Sequence, residues 1–215
     1  VIYYKATKPD GTDFYTGTVD YAGALASGEP LPLLTSTDGT YERCTGSVYH
    51  ASDAPAETLV GSDWPCRLFE VTGEPVTERG HTYGFRTLAV VREVYAWMAL
   101  GPNGEAVLAL IERARNLTPT EASGLISAWG TARDAAWHAA RDAAWHAARG
   151  AAWNAAWYAA WYAAWDVAWG AAGDVPCDAA GDAAVALVVK DLISPEHFYA
   201  LYSPWASVME MGSGQ

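Results

Sequence analysis

The sequence predicts an α+β protein: a small, mostly antiparallel sheet domain over residues 1–100, followed by an Ala/Trp-rich all-α helical domain over residues 101–215. Three observations carry this. Segments rich in β-branched and aromatic residues alternate with Gly/Pro/Asp turns as far as residue 98. Gly101-Pro102-Asn103-Gly104 then breaks the pattern. Beyond it, a tetrad repeat places Trp or Arg at every fourth position from Trp129 to Trp169, in a background of alanine, the best helix former.

The elements follow in order. Ile2 to Thr7 reads as a strand, Pro9-Asp10-Gly11-Thr12 as a turn, and Asp13 to Thr18 as the returning arm of a hairpin. Ala22 to Pro32 reads as a loop. Gly46 to Ser52, Arg67 to Thr72 and a long Phe85 to Trp97 are further strands, with a short helix at Ala54 to Val60. Glu105 to Arg115 has apolar residues at helical spacing (Val107, Leu108, Leu110, Ile111). Thr118-Pro119-Thr120-Glu121 is a capping box with proline at the first helical position, and the helix it opens runs into the repeat of about residues 129–172.

That repeat poses a geometric problem. At about 100° per residue a four-residue step overshoots one turn by about 40°, so ten steps carry the Trp column about 400° around the axis. Either the helix breaks or it lies centrally with neighbours on all sides. Gly173-Asp174-Val175-Pro176 is terminator chemistry and marks the expected break, with a further bend at Gly150. Ala179 to Ile193 reads as the next helix, and Glu196 to Tyr202 as a last short one ended by Pro204-Trp205.

With 51% apolar residues the chain can bury a core, and its net charge of −12 is shared by both halves. An acidic chain with no basic face to speak of argues against a protein that tracks a phosphate backbone, so no nucleic-acid partner is expected. Ala151 to Gly173 is long enough to span a bilayer, but alanine is weakly apolar and its tryptophans recur at all depths, which argues against a membrane span. Cys44, Cys66 and Cys177, odd in number and widely spaced, read as reduced thiols of a cytoplasmic protein. No secretory leader is visible at Val1 to Lys5.

The candidate interaction surface is the Trp/Arg column: Arg133, Trp137, Arg141, Trp145, Arg149, Trp153, Trp157, Trp161, Trp165 and Trp169. Arg133, Arg141 and Arg149 each lie four residues from a tryptophan on both sides, where guanidinium and indole stack at roughly 0.5–1 kcal/mol per exposed pair. Two readings are open. The rings fill gaps between Ala-faced helices, or some stay outside as an association surface, since Trp and Arg dominate interface energetics. The spacing of Cys44, His50, Cys66 and His81 matches no zinc module, and His138 and His146 stand about 80° apart on a helix, so no metal site is expected. No phosphate loop, nucleophile elbow or dinucleotide fingerprint is present, and no cofactor is expected. The catalytic candidates are His50 and Glu93, with Ser47 near the histidine.

Three resemblances add to this. Arg43-Cys44-Thr45-Gly46-Ser47-Val48-Tyr49-His50-Ala51-Ser52, Cys66-Arg67-Leu68-Phe69-Glu70-Val71-Thr72-Gly73-Glu74-Pro75-Val76 and Val91-Arg92-Glu93-Val94 together resemble an uncharacterised domain of bacteriophage and bacterial proteins, over about residues 2–98. The C-terminal half resembles the Ala/Trp/Arg/Asp repeats of actinobacterial and actinophage proteins, closing with Lys190 to Ile193, His197 to Tyr199 and Pro204-Trp205. Gly46 to Ala51 and Leu68 to Gly73 are also similar in order to segments of ADP-ribosyltransferases, with Glu93 in the place of a catalytic glutamate; where those enzymes carry an early-strand His or Arg, this chain has Tyr3 and Tyr4. The first two imply no activity, and the third implies an NAD-consuming enzyme as the alternative. The function expected is that of a non-enzymatic interaction or structural protein of phage or high-GC bacterial origin, acting on a protein partner or by homo-oligomerisation.

Overall fold

The structure, a computed structural model, describes residues 1–36, 46–132, 135–150, 153–172 and 174–209, with only the backbone at 135, 174 and 175. The chain divides into two compact units, Val1–Ala99 and Leu100–Gln215. The first is a six-stranded antiparallel sheet and the second a helical region with a Trp cluster.

In the first unit the strands are β1 (Tyr3–Thr7), β2 (Tyr49–Ser52), β3 (Arg67–Thr72), β4 (Pro75–Arg79), β5 (Thr82–Phe85) and β6 (Ala89–Val94), in the order β4-β5-β2-β1-β3-β6. Strand alternation puts Tyr3, Phe69, Val71, Tyr49 and Phe85 on one face. They form the core there with Leu88, Leu31 and Tyr21, the last from helix α1 (Tyr21–Ser27).

Four expectations for this unit are corrected. Asp13 to Thr18 is no hairpin arm: the Asp13 carboxylate accepts bonds from the Thr16 and Val19 N–H groups at 2.6 and 2.9 Å and from the Thr16 hydroxyl at 2.7 Å, curling the segment into a loop around itself. The expected loop at 22–32 contains α1, started by Asp20, which accepts from the Gly23 N–H at 2.7 Å, and stopped by Gly28 in the left-handed region at φ 72°. The long strand at 85–97 is divided, because Leu31 and Leu34 donate to the carbonyls of Leu88 and Arg86 at 2.8 Å and draw 86–88 out of the ladder; Trp97 lies in a short 3-10 turn, Ala96–Leu100. The helix expected at 54–60 is one 3-10 turn, Pro55–Glu57.

The helical unit contains α2 (Gly104–Ala114), α3 (Pro119–Ala132), α4 (Ala135–Gly150), α5 (Asn154–Ala172), α6 (Asp174–Val188) and α7 (Pro195–Met209). The capping box forms as expected: the Thr118 N–H donates to Glu121 Oε2 at 2.8 Å and the Glu121 N–H to Thr118 Oγ1 at 3.3 Å. The helix after the repeat begins at Asp174 rather than Ala179, with Pro176 in a first turn whose N–H groups have no intrahelical partner to lose. Pro204 lies inside α7 instead of ending it, held there by the buried Leu201, Trp205 and Val208 on either side.

The repeat is divided among α3, α4 and α5, and Trp153, outside any helix, separates the last two. The central element is α6, which packs against α2, α3, α4, α5 and α7. Its Cys177, Ala180, Ala183, Ala184, Val185, Ala186 and Val188 are wholly buried. Small side chains on α6 and on the repeat explain this closeness. Ala140, Ala144 and Ala148 of α4, and Ala156, Ala160, Ala164 and Ala168 of α5, are buried without exception. A four-residue row is a ridge inclined about 26° to the helix axis, so a helix crossing at an angle can follow it throughout. The bulky column next to it does wander. Along α5, Trp157 is 7% exposed, Trp161 and Trp165 are half-buried, and Trp169 is 46% exposed, matching the rotation of about 120° that three steps produce.

Candidate functional site

Asp182 on α6 is 2% exposed in an otherwise apolar helix interior. Trp129 of α3 and Trp137 of α4 donate their indole N–H groups to its Oδ2 at 3.1 and 3.0 Å. Arg141, one repeat beyond Trp137, holds its Nε 3.9 Å from Oδ1 and its guanidinium 5.3 Å above the Trp137 ring. Burial pushes the Asp182 carboxyl above the usual carboxylate range, against the pull of the two indoles and Arg141. The first members of the column thus serve packing, anchored on one buried charge.

Further along, the column leaves the core. Between α4 and α5 lies an open cleft of about 560 Å³. His138, Arg141, Asp142 and Trp145 line it from α4, and Trp157, Tyr158, Trp161 and Tyr162 from α5. Trp145 meets Trp157 and Tyr158 edge-on, with centroids 5.3 and 5.5 Å apart, and the Arg149 guanidinium lies 5.8 Å from the Trp145 ring. Tyr158 stacks on Tyr162, Trp161 on Trp165, and Trp165 on Trp169 at 5.0 Å.

The indole nitrogens of Trp157 and Trp161 are buried and, among the described residues, find no acceptor. For Trp161 the reason lies in α6. Its Nε1 packs over Gly181, where an added Cβ would come within 2.6 Å. The residue next to Asp182 therefore offers Trp161 no side chain to bond.

Of the expected surface residues, Trp137 and Trp157 belong to the interior, Trp145, Trp153, Trp161 and Trp165 are half-buried, and Arg141, Arg149 and Trp169 are exposed. Arg133 lies outside the described residues, as does Cys44. Tyr158 and Tyr162 join the exposed face; their signal in the sequence is a polar phase of the repeat that turns aromatic beside the densest run of tryptophan.

His50 and Glu93 are not brought together. They sit on β2 and β6 with β1 and β3 between them, a separation of about 14 Å at the usual strand spacing. Glu93 is held by Arg67 through two bonds of 2.8 and 2.7 Å, which lower its pKa. Cys66 and Cys177 are both buried, and burial pushes the Cys66 thiol up to about 12. His81 pairs with Asp53 at 2.9 Å. Among the described residues, no three His, Cys, Asp or Glu side chains could share a metal ion, and no helix is long and apolar enough to cross a membrane. No protein-family model, curated protein or solved structure matches the chain.

Proposed function

We propose that the protein is a non-enzymatic binding protein that associates with a second copy of itself through the aromatic, arginine-rimmed face of α4 and α5. The observation that carries this is the exposed row Tyr158, Tyr162 and Trp169, continuous with the stacked Trp161 and Trp165. A contiguous aromatic surface of this kind is the composition of an interface centre, where Tyr, Trp and Arg contribute most. Charge favours a like chain as the occupant. The protein carries −12 overall, yet the described part of α4 presents Arg141 and Arg149 with His138 and His146 against the single acid Asp142. The acidic remainder of a second copy, and not its own α4 patch, is the surface this patch complements, in a head-to-tail contact.

The test is size-exclusion chromatography with light scattering on the wild type and a Tyr158→Ala, Tyr162→Ala variant. Both tyrosines are exposed, so their truncation removes contact surface, whereas Trp157 is part of the interior and its loss would unpack the unit. The expected result is a dimer or larger assembly that the variant converts to monomer. A monomeric wild type, or a variant that assembles equally well, would contradict the proposal.

A further inference from the structure

The sheet unit holds a cavity of about 540 Å³ that the proposed association does not use. Its origin is a split in the sheet. β1 pairs with β3 from Tyr3↔Val71 to Thr7↔Arg67, and β2 with β5 from Tyr49↔Phe85 to Ser52↔Thr82, but β1 and β2 meet at Tyr4↔Ser52. Beyond it, Lys5 and Ala6 on one strand and His50 and Ala51 on the other line the cavity.

Lys5 is half-buried in this wall, with its Nζ 5.6 Å from the centroid of the buried Tyr21 ring. Burial lowers its pKa to about 8, with the Asp13 carboxylate pulling the other way, so more of the amine is neutral near physiological pH than in an exposed lysine. Asp13 is itself fixed by its bonds from Thr16, Thr18 and Val19 and is negatively charged in the same wall near physiological pH. An anionic ligand would meet that charge. A neutral aldehyde or ketone carries no charge for Asp13 to repel, and its imine can stay uncharged where burial disfavours the cation.

We propose that Lys5 is the covalent anchor of a small aldehyde or ketone ligand, held in this cavity as an imine. The amine lone pair forms a bond to the carbonyl carbon while the C=O π pair moves to oxygen. The two amine hydrogens then leave with that oxygen as one water, and the nitrogen lone pair closes the C=N bond.

The chain has three lysines, Lys5, Lys8 and Lys190, so two internal controls are built in. The full chain is incubated with benzaldehyde and cyanoborohydride, and the reduced adducts are located by peptide mass spectrometry. Lys5 is expected to label saturably and at least tenfold faster than Lys8 and Lys190, and Val60→Trp, at an exposed position in the cavity wall, to slow Lys5 alone. Labelling of Lys5 no faster than the other two, or benzaldehyde binding without an adduct at Lys5, overturns the proposal. Neither result bears on the oligomeric state, so the two proposals fail separately.

Discussion

Trp137 donates its indole N–H to the Asp182 carboxylate at 3.0 Å across 45 residues of sequence, tying the repeat helix α4 to the central helix α6. Trp129 donates to the same oxygen from α3, so one buried carboxylate fixes two members of the column against the core. The arrangement makes Asp182 the acceptor on which both indoles depend.

Asp182→Ala is therefore expected to destabilise the protein by about 2–4 kcal/mol, because two buried donors lose their acceptor. Asp182→Asn keeps an oxygen for them and sheds the cost of burying a charge, so it is expected to cost less than about 1 kcal/mol. Urea denaturation of the two variants checks this. Equal losses in both would show that the charge, and not the hydrogen bonding, holds the helices.

Trp161 presents the opposite case. Its indole N–H is buried over Gly181 without an acceptor among the described residues, so Trp161→Phe removes an unmatched donor while keeping an aromatic ring. Its expected effect is between neutral and a gain of about 1 kcal/mol, the lost donor offsetting the lost ring area. Trp137→Phe is expected to lose about 1 kcal/mol or more by the same argument reversed. A melting temperature that falls equally in both would refute the distinction.

The two buried aspartates give opposite pH dependence. Burial pushes Asp13 up, but its hydrogen bonds from Thr16, Val19 and Thr18 outweigh that and leave it at about 2. Its folded pKa is depressed, so its stabilisation is present above the unfolded value near 3.8 and is lost as pH falls towards 2. Asp182 is raised by burial, so its contribution is present below 3.8 and is lost as pH rises through its folded value. In urea titrations at successive pH values, Asp13→Asn is expected to flatten the acid limb of the stability profile. Asp182→Asn is expected to remove a decline that begins above pH 4; a wild-type slope surviving in either variant would contradict the assignment.

What was legible in the sequence is what local chemistry decides. Thr118 and Glu121 bond each other within one turn, and β3 runs from Arg67 to Thr72 as its composition indicates. The drift of the tetrad column was legible too, because it depends on helix geometry alone; what escaped was that its alanines form an inclined ridge a crossing helix can follow. β4 went unread because it begins at Pro75 and is an exposed edge strand with little apolar alternation. Asp182 was invisible because its partners lie 45 and 53 residues away. A signal was nevertheless present, since it is the lone charge between Ala179 and Val189 in a helix apolar on every side. Lys5 escaped likewise, its setting depending on Asp13 and Tyr21 and on the split between β1 and β2.

The most direct test of the association proposed for α4 and α5 is sedimentation equilibrium of the wild type beside Tyr162→Asp, which places a charge at a 56% exposed position in the middle of the aromatic row. The account predicts reversible self-association of the wild type at micromolar concentration and a monomer of unchanged melting temperature for Tyr162→Asp. A wild type that stays monomeric over that range, or a variant that associates as tightly as the wild type, would contradict it.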